Sequence, residues 1–252
     1  MKLEGISAIV TGAASGLGAA TAASLAASGV HVVGIDLAIA VERAVSASTA
    51  VRLVAADVTS DADVSAALAS LPAEIPLRLC VNCAGIAPPS RILGTDGAHD
   101  LSLFRKVIEV NLVGTFNVLR LAAKTMSETS PDPNGQRGVI VNTASIAAYE
   151  GQIGQAAYAA SKGGVVSLTL AAARDLARTG IRVNTIAPGI VHTAMLDSLD
   201  DDAVRRLGEG VPFPRRTALP AEYAQLVTMI AEHDYLNGET IRMDGALRMA
   251  PR

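Results

Sequence analysis

Ile6-Ser-Ala-Ile-Val10-Thr11-Gly-Ala-Ala-Ser-Gly-Leu-Gly18, followed after an Ala-rich run by Val30-His-Val-Val-Gly-Ile-Asp36, decides the fold. Ile6–Val10 is a short apolar run of strand length, and Gly12, Gly16 and Gly18 break it into a turn. The alanines that follow favour a helix to about Ser28. Val30–Ile35 is a second strand, ending at Asp36. Two strand–helix units so close together require a parallel sheet with right-handed crossovers. The expected class is α/β: one doubly wound parallel sheet with helices on both faces.

The alternation continues along the chain. A weakly polar helix is expected at 38–48, a strand at Val51–Ala55 leading to Asp57, and a helix at 61–70. Leu77–Val81 is the fourth strand, and 86–99, with its prolines and glycines, reads as loop. A long helix over 101–128 and a polar turn at Pro131–Gly135 precede a fifth strand at 139–143. The next helix extends to about Arg178, and Ile181–Ile186 is a sixth strand that ends at Pro188-Gly189. Residues 190–218 are expected to be irregular and to form a mobile lid, before a helix at 220–232 and a last strand near 239–243. No repeat or linker divides residues 1–252, so one domain is expected.

Composition removes several function classes. Half of the 252 residues are apolar, but the excess is alanine, with no Trp and 3 Phe, which suits close helix–sheet packing. A net charge of −3 without a basic run argues against nucleic acid as a partner. Residues 5–35 carry no Asp, Glu, Lys or Arg, yet Gly12, Gly16, Gly18, Gly29 and Gly34 interrupt them, so a membrane span is not expected. No basic segment followed by an apolar core opens the sequence, and a cytoplasmic location is the expectation. Cys80-Val-Asn-Cys83 has redox-motif spacing. On a strand, though, residues three apart point to opposite faces with Cα atoms about 10 Å apart, too far for a disulfide. With no second pair there is no metal site, and both are expected to be small buried side chains.

The glycine turn carries the first chemical reading. Glycines without Cβ let the backbone approach a pyrophosphate, and the helix that follows presents free N–H groups and its positive dipole end. The spacing G-x-x-x-G-x-G differs from the general dinucleotide fingerprint, but its place after the first strand of a Rossmann-type fold is right. Asp36 ends the second strand, where a carboxylate accepts both adenosine ribose hydroxyls and repels a 2′-phosphate; no Arg or Lys follows closely, so NAD is expected over NADP. A turn-capping aspartate is the competing reading. Asp57 is placed to receive the adenine amino group beside Val58, with a helix cap as the alternative.

The second reading comes from Ser145-Ile-Ala-Ala-Tyr-Glu-Gly-Gln-Ile-Gly-Gln-Ala-Ala-Tyr158-Ala-Ala-Ser-Lys162. Tyr158 and Lys162, four apart in an Ala-rich helix, share a face, and Ser145 follows a buried strand that can point it at both. A free phenol, with a pKa near ~10, is a poor base at neutral pH. One cation about 4 Å away, at an effective dielectric near 20, is worth roughly 4 kcal/mol, or about three pKa units. Lys162, helped by an oxidised nicotinamide, is expected to supply that charge. Taken alone the pair reads more simply as a packed aromatic and a solvated lysine.

Taken together, these residues resemble the short-chain dehydrogenase/reductase family. The matching pieces are Thr11-Gly-Ala-Ala-Ser-Gly-Leu-Gly18, Asn82-Cys-Ala-Gly85, Asn111, Ser145, Tyr158-x-x-x-Lys162 and Pro188-Gly189, in order over nearly the whole chain. Within the family the chain is most similar to the type 2 3-hydroxyacyl-CoA dehydrogenases, also described as 17β-hydroxysteroid dehydrogenases of type 10. That likeness rests on Val81-Asn-Cys-Ala-Gly-Ile-Ala87, Asn111-Leu-Val-Gly-Thr-Phe-Asn117, Arg137-Gly-Val-Ile-Val-Asn-Thr-Ala-Ser145, Gly151-Gln-Ile-Gly-Gln-Ala-Ala-Tyr158, Ala173-Arg-Asp-Leu-Ala177, Val211-Pro-Phe-Pro214 and Asp244-Gly-Ala-Leu-Arg-Met249. Departures fall at 37–50, 86–100, 190–193 and 215–219.

The resemblance implies NAD-dependent oxidation of a secondary alcohol, a 3-hydroxyacyl-CoA becoming a 3-oxoacyl-CoA. Tyr158 would take the hydroxyl proton, Ser145 would hydrogen-bond the same oxygen, and Lys162 would bind the nicotinamide ribose and bias Tyr158. Asn111 would hold a water that leads protons out through Lys162, and Gln152 would orient the substrate carbonyl. Ser15, Leu17, Cys83, Ala84, Gly85, Pro188, Gly189, Val191 and Thr193 would line the cofactor with the glycine turn. A homotetramer packed through long helices and the C-terminal segment is implied as well. Another alcohol or steroid dehydrogenase, a 3-oxoacyl carrier-protein reductase and a non-catalytic nucleotide-binding protein remain the alternatives; Asp36 weighs against the reductase, which usually takes NADPH.

Of the histidines, His31, His99 and His233 read as structural, while His192 in the lid could touch substrate. Arg205, Arg206, Arg215 and Arg216 flank the lid and could meet coenzyme A phosphates, although a solvated face is the simpler reading.

Overall fold

The strands fall where the apolar runs put them. In a computed structural model that describes residues 1–44, 51–95, 97–193 and 201–251, the strands are β1 (Ser7–Thr11), β2 (His31–Asp36), β3 (Arg52–Ala55), β4 (Leu77–Asn82), β5 (Gly138–Thr143), β6 (Ile181–Pro188) and β7 (Thr240–Met243). They pair in parallel in the order β3-β2-β1-β4-β5-β6-β7, a single doubly wound sheet. The order reverses between β1 and β4, and the crevice at such a point, outside the carboxyl ends of the strands, is where this architecture binds ligands.

Both faces of the sheet are covered. The helices are α1 (Gly16–Ala27), α2 (Ala38–Ala44), α3 (Asp61–Ala69), α4 (Leu101–Ile108), α5 (Thr115–Ser127), α6 (Ala156–Asp175), α7 (Asp201–Glu209) and α8 (Pro220–Glu232). Alternate residues of β1 divide the core. Ile9 joins Val118, Met126 and Ala172 of α5 and α6, while Ala8 and Val10 join Leu25 of α1 and Tyr223 and Val227 of α8. That period of two, apolar in both registers, is why the strands read as continuous apolar runs.

Several boundaries differ from the sequence expectation. The helix expected over 101–128 contains a π-helical turn at Glu109–Gly114, which places Asn111 inside the irregularity. The helix expected to reach Arg178 ends at Asp175, and a 3-10 turn at Ala177–Thr179 closes on Gly180 with φ +74°. A glycine there takes the left-handed conformation without a Cβ penalty and stops the helix. The 86–99 loop contains a small antiparallel ribbon, Leu93–Gly94 against Gly97–Ala98. The segment 190–218 is not wholly irregular, because it contains α7; residues 194–200, like 45–50 of the second expected helix, lie outside the described residues. No helix among the described residues is long and apolar enough to cross a membrane.

Candidate active site

A cleft of about 400 Å³ opens at the carboxyl ends of β1, β2 and β4. The Thr11 hydroxyl at the end of β1 accepts the backbone N–H groups of Cys83 at 3.0 Å and Ala84 at 2.9 Å, which binds the two strand ends together. A Cβ on Gly12 would lie 3.0 Å from the Ala84 nitrogen, and one on Gly18 would collide with the Gly12 carbonyl. Only glycine permits this turn. Ser15, at the N-cap of α1, makes no side-chain cap, and no acidic residue lies in the first turn, so the N–H groups of α1 remain available to an anion. The donor set fits a pyrophosphate.

Of the residues expected at the site, Gly12, Ser15, Gly16, Leu17 and Gly18 line the cleft on one side. Asp36, Asp57 and Val58 close its far end, and Cys83, Ala84, Gly85, Tyr158, Lys162 and Thr193 form the remainder. Asp36 plays the turn-capping part as well: Oδ2 accepts the Ala14 N–H at 3.0 Å and Oδ1 the Leu37 N–H at 2.8 Å. Each oxygen has a second lone pair, so capping and ribose binding are compatible. Asp57 Oδ1 accepts the N–H and the hydroxyl of Thr59 at 2.9 and 2.8 Å, and these bonds hold its carboxyl below the ordinary range. Ser60, not Asp57, caps α3.

Other expected residues are not among those that line the cleft. Asn111 is buried with its side chain fully engaged: Oδ1 accepts the Ile86 N–H at 2.8 Å, and Nδ2 donates to the Ile86 carbonyl at 2.9 Å and the Ser161 hydroxyl at 3.0 Å. Its main-chain carbonyl accepts the Thr115 hydroxyl at 2.8 Å. Gln152 donates to the Ala250 carbonyl at 3.1 Å. Pro188, Gly189 and Val191 support the backbone: the Gly189 N–H reaches the Met243 carbonyl at 2.9 Å, and Val191 is buried and bridges to Ala218. Their support carries Thr193 into the cleft.

Lys162 differs most from expectation. It is buried, its ammonium donates to the Thr143 carbonyl at 2.7 Å, and it lies 5.8 Å from the centroid of the Tyr158 ring. Burial brings its pKa down to about 8, with Cys83 acting weakly the other way. Tyr158 is raised by burial, and the neighbouring Ser145 hydroxyl opposes that rise. Among the protein's own groups burial is the largest influence on Tyr158; the expected acidification joins Lys162 with an oxidised nicotinamide, a charge the protein itself does not carry. Ser145 Oγ also accepts the Ala147 N–H at 3.1 Å, which orients the hydroxyl.

Sequence reasoning missed Leu37, Ile86, Lys106, Val110 and Thr143 as lining residues. Lys106 comes from α4 and stands near enough to Asp57 to help stabilise its charge. No local pattern connects the two. Elsewhere, Arg205 pairs with Asp202 and Glu209 at 3.0 and 2.8 Å, and Arg216 with Glu222 at 2.8 Å, the solvated-face reading for two of the four lid arginines. His99 packs edge-on to Phe104, and His192 is exposed beside the cleft residue Thr193. Cys80 is buried on the α5 side of the sheet, while Cys83 lies near Thr143 and Tyr223 on the other; both thiols are free.

A family model described as short chain dehydrogenase matches residues 7–204. The chain is 51% identical to the 3-hydroxyacyl-CoA dehydrogenase type-2 of Bos taurus, covering 99% of this chain and 98% of the relative. It is 51% identical to that of Drosophila melanogaster, covering 96% and 97%. The (3R)-3-hydroxyacyl-CoA dehydrogenase of Homo sapiens is 35% identical, covering 98% and 97%. Among solved structures, the 3-hydroxyacyl-CoA dehydrogenase type-2 of Mycobacterium avium superposes with a TM-score of 0.93 at 44% identity, covering 98% of each chain.

Proposed function

The chain belongs to the short chain dehydrogenase family, and we propose that it is an NAD-dependent dehydrogenase that oxidises a 3-hydroxyacyl-CoA to the 3-oxoacyl-CoA. The observation that carries this reading is the convergence of the glycine turn, Asp36, Tyr158 and Lys162 on one cleft. The names of the relatives at 51% identity support the substrate class.

The glycine turn and the N-terminus of α1 would hold the pyrophosphate, Asp36 the adenosine ribose and Lys162 the nicotinamide ribose. When bound, NAD supplies the hydride acceptor and a positive ring. Tyr158 accepts the proton of the substrate hydroxyl, and Ser145 donates a hydrogen bond to the same oxygen as it becomes a carbonyl. Because burial raises the phenol, Tyr158 becomes an effective base only with added positive charge beside it. A water on the Asn111 carbonyl would pass the proton outward by way of Lys162.

Asp36 supports NAD over NADP, since a second anion would face its carboxylate. The lid expected over 190–218, of which 194–200 lie outside the described residues, would shape the choice of substrate on this reading. Exposed apolar residues on the long helices, Phe116 of α5 and Leu170 of α6, support assembly into a homotetramer. A cytoplasmic location completes the reading. The test is NADH formation from 3-hydroxyacyl-CoAs of increasing chain length, with secondary alcohols, hydroxysteroids and carrier-protein thioesters alongside. Turnover confined to one of the latter would replace the substrate assignment and leave the chemistry intact.

A further inference from the structure

Glu150 lies between Ser145 and Tyr158 in the chain, and no role given above uses it. Its carboxylate receives Arg242 of β7 in a two-pronged pair at 2.9 and 3.2 Å, and the backbone N–H of Met249 at 3.0 Å. Arg242 holds the segment 244–251 too: it donates to Asp244 at 2.6 Å and to the Leu247 carbonyl at 3.1 Å. Farther along, that segment meets the 146–155 loop again. Gln152 Nε2 donates to the Ala250 carbonyl at 3.1 Å, and the Ile153 N–H to the Pro251 carbonyl at 3.0 Å. Beneath these polar contacts Ile146 and Leu247 are buried in one cluster.

The Arg242–Glu150 pair is only 22% and 20% exposed, so its charges are partly shielded from water and hydrogen-bonded at both ends. Asp244, 2.6 Å from Arg242, and Arg248, 3.4 Å from Glu150, join the pair in a four-charge network, which holds the segment more firmly than a lone exposed pair would.

We propose that Glu150 is a positioning residue. It fastens the segment 244–251 across the loop between Ser145 and Tyr158, and so fixes Gln152, which on the dehydrogenase reading would orient the substrate carbonyl. One amide hydrogen of Gln152 is committed to the Ala250 carbonyl, which restrains the amide about its last torsion. The proposal rests on the dehydrogenase reading of this site and adds to it a determinant of substrate fit, Glu150, whose partner Arg242 lies 92 residues away in the chain.

Two variants test it: Glu150→Gln, and a chain ending at Arg248. The readouts are KM and kcat with a 3-hydroxyacyl-CoA, NADH affinity by fluorescence titration, and hydrogen exchange at the amides of 150–155. In both variants KM should rise about tenfold, the loss of one charge-assisted hydrogen bond, with NADH affinity held within about twofold. Amides in 150–155 should exchange faster. Combining the shortened chain with Gln152→Ala should add nothing further to KM, since both act through one amide. Unchanged KM in both variants, effects that add to Gln152→Ala, or a parallel fall in NADH affinity would each overturn the proposal. If the parent chain turns over no 3-hydroxyacyl-CoA, the dehydrogenase reading fails by itself. Exchange then decides the attachment: faster exchange at 150–155 sustains it, and unchanged protection ends it.

Discussion

The ammonium of Lys162 lies 5.8 Å from the centroid of the Tyr158 ring and makes no hydrogen bond to the phenol; its 2.7 Å bond goes to the Thr143 carbonyl at the end of β5. The two side chains share a helix face, but burial is the main influence on each, raising the phenol and lowering the ammonium. That arrangement makes the phenol dependent on charge brought into the cleft.

Tyr158→Phe should bind NADH with affinity close to that of the parent and lose about 10²–10⁴ of turnover, the range that a general base contributes. Fluorescence titration and steady-state rates measure the two separately. Retained turnover would remove Tyr158 from the chemistry.

Lys162 gives a stability prediction with a definite sign. Its pKa falls from an ordinary 10.5 to about 8 on folding. Between those values the unfolded chain holds the proton and the folded one does not, so stability rises with pH across that window and is flat on either side. Relative to Lys162→Met, the parent should therefore gain up to about 3 kcal/mol between the two pKa values. Denaturant unfolding of both proteins at pH 7.5 to 11, roughly spanning the window, reads the difference. A difference that stays constant would mean that the lysine is not desolvated.

Coenzyme choice depends on the charge of Asp36. Asp36→Asn keeps an acceptor for a backbone N–H and removes the repulsion, so the NAD/NADP ratio of kcat/KM should fall by about 10–100-fold. Rates with both coenzymes give the ratio, and a preference for NADP in the parent would reverse the assignment.

Gly18→Ala places a methyl group against the Gly12 carbonyl. Relief requires the turn to move, at a cost of about 1–3 kcal/mol in stability. NADH affinity should fall at least about tenfold with the same displacement. Calorimetric unfolding and NADH titration follow the two effects, and unchanged affinity would show that the turn does not hold the dinucleotide.

Much of the site was legible because it is local. Gly12, Gly16 and Gly18 declare themselves by a strand before and a helix after, and Tyr158 and Lys162 by a spacing of four. Lys106 and Thr143 were not legible as cleft residues, since the one stands on α4 and the other on β5, and only packing brings them to the cleft. For the same reason the spacing predicts a shared face for Tyr158 and Lys162 but not that a backbone carbonyl takes the ammonium.

The sequence by itself determined the parallel sheet, the glycine turn and the pairing of phenol with lysine, because each follows from short-range periodicity or from steric limits on single residues. Tertiary structure alone decided how deeply Lys162 is desolvated, which groups close the cleft, and that Glu150 meets Arg242 across 92 residues. Burial and long-range charge depend on what the rest of the chain places nearby, and no local pattern of residues carries that information.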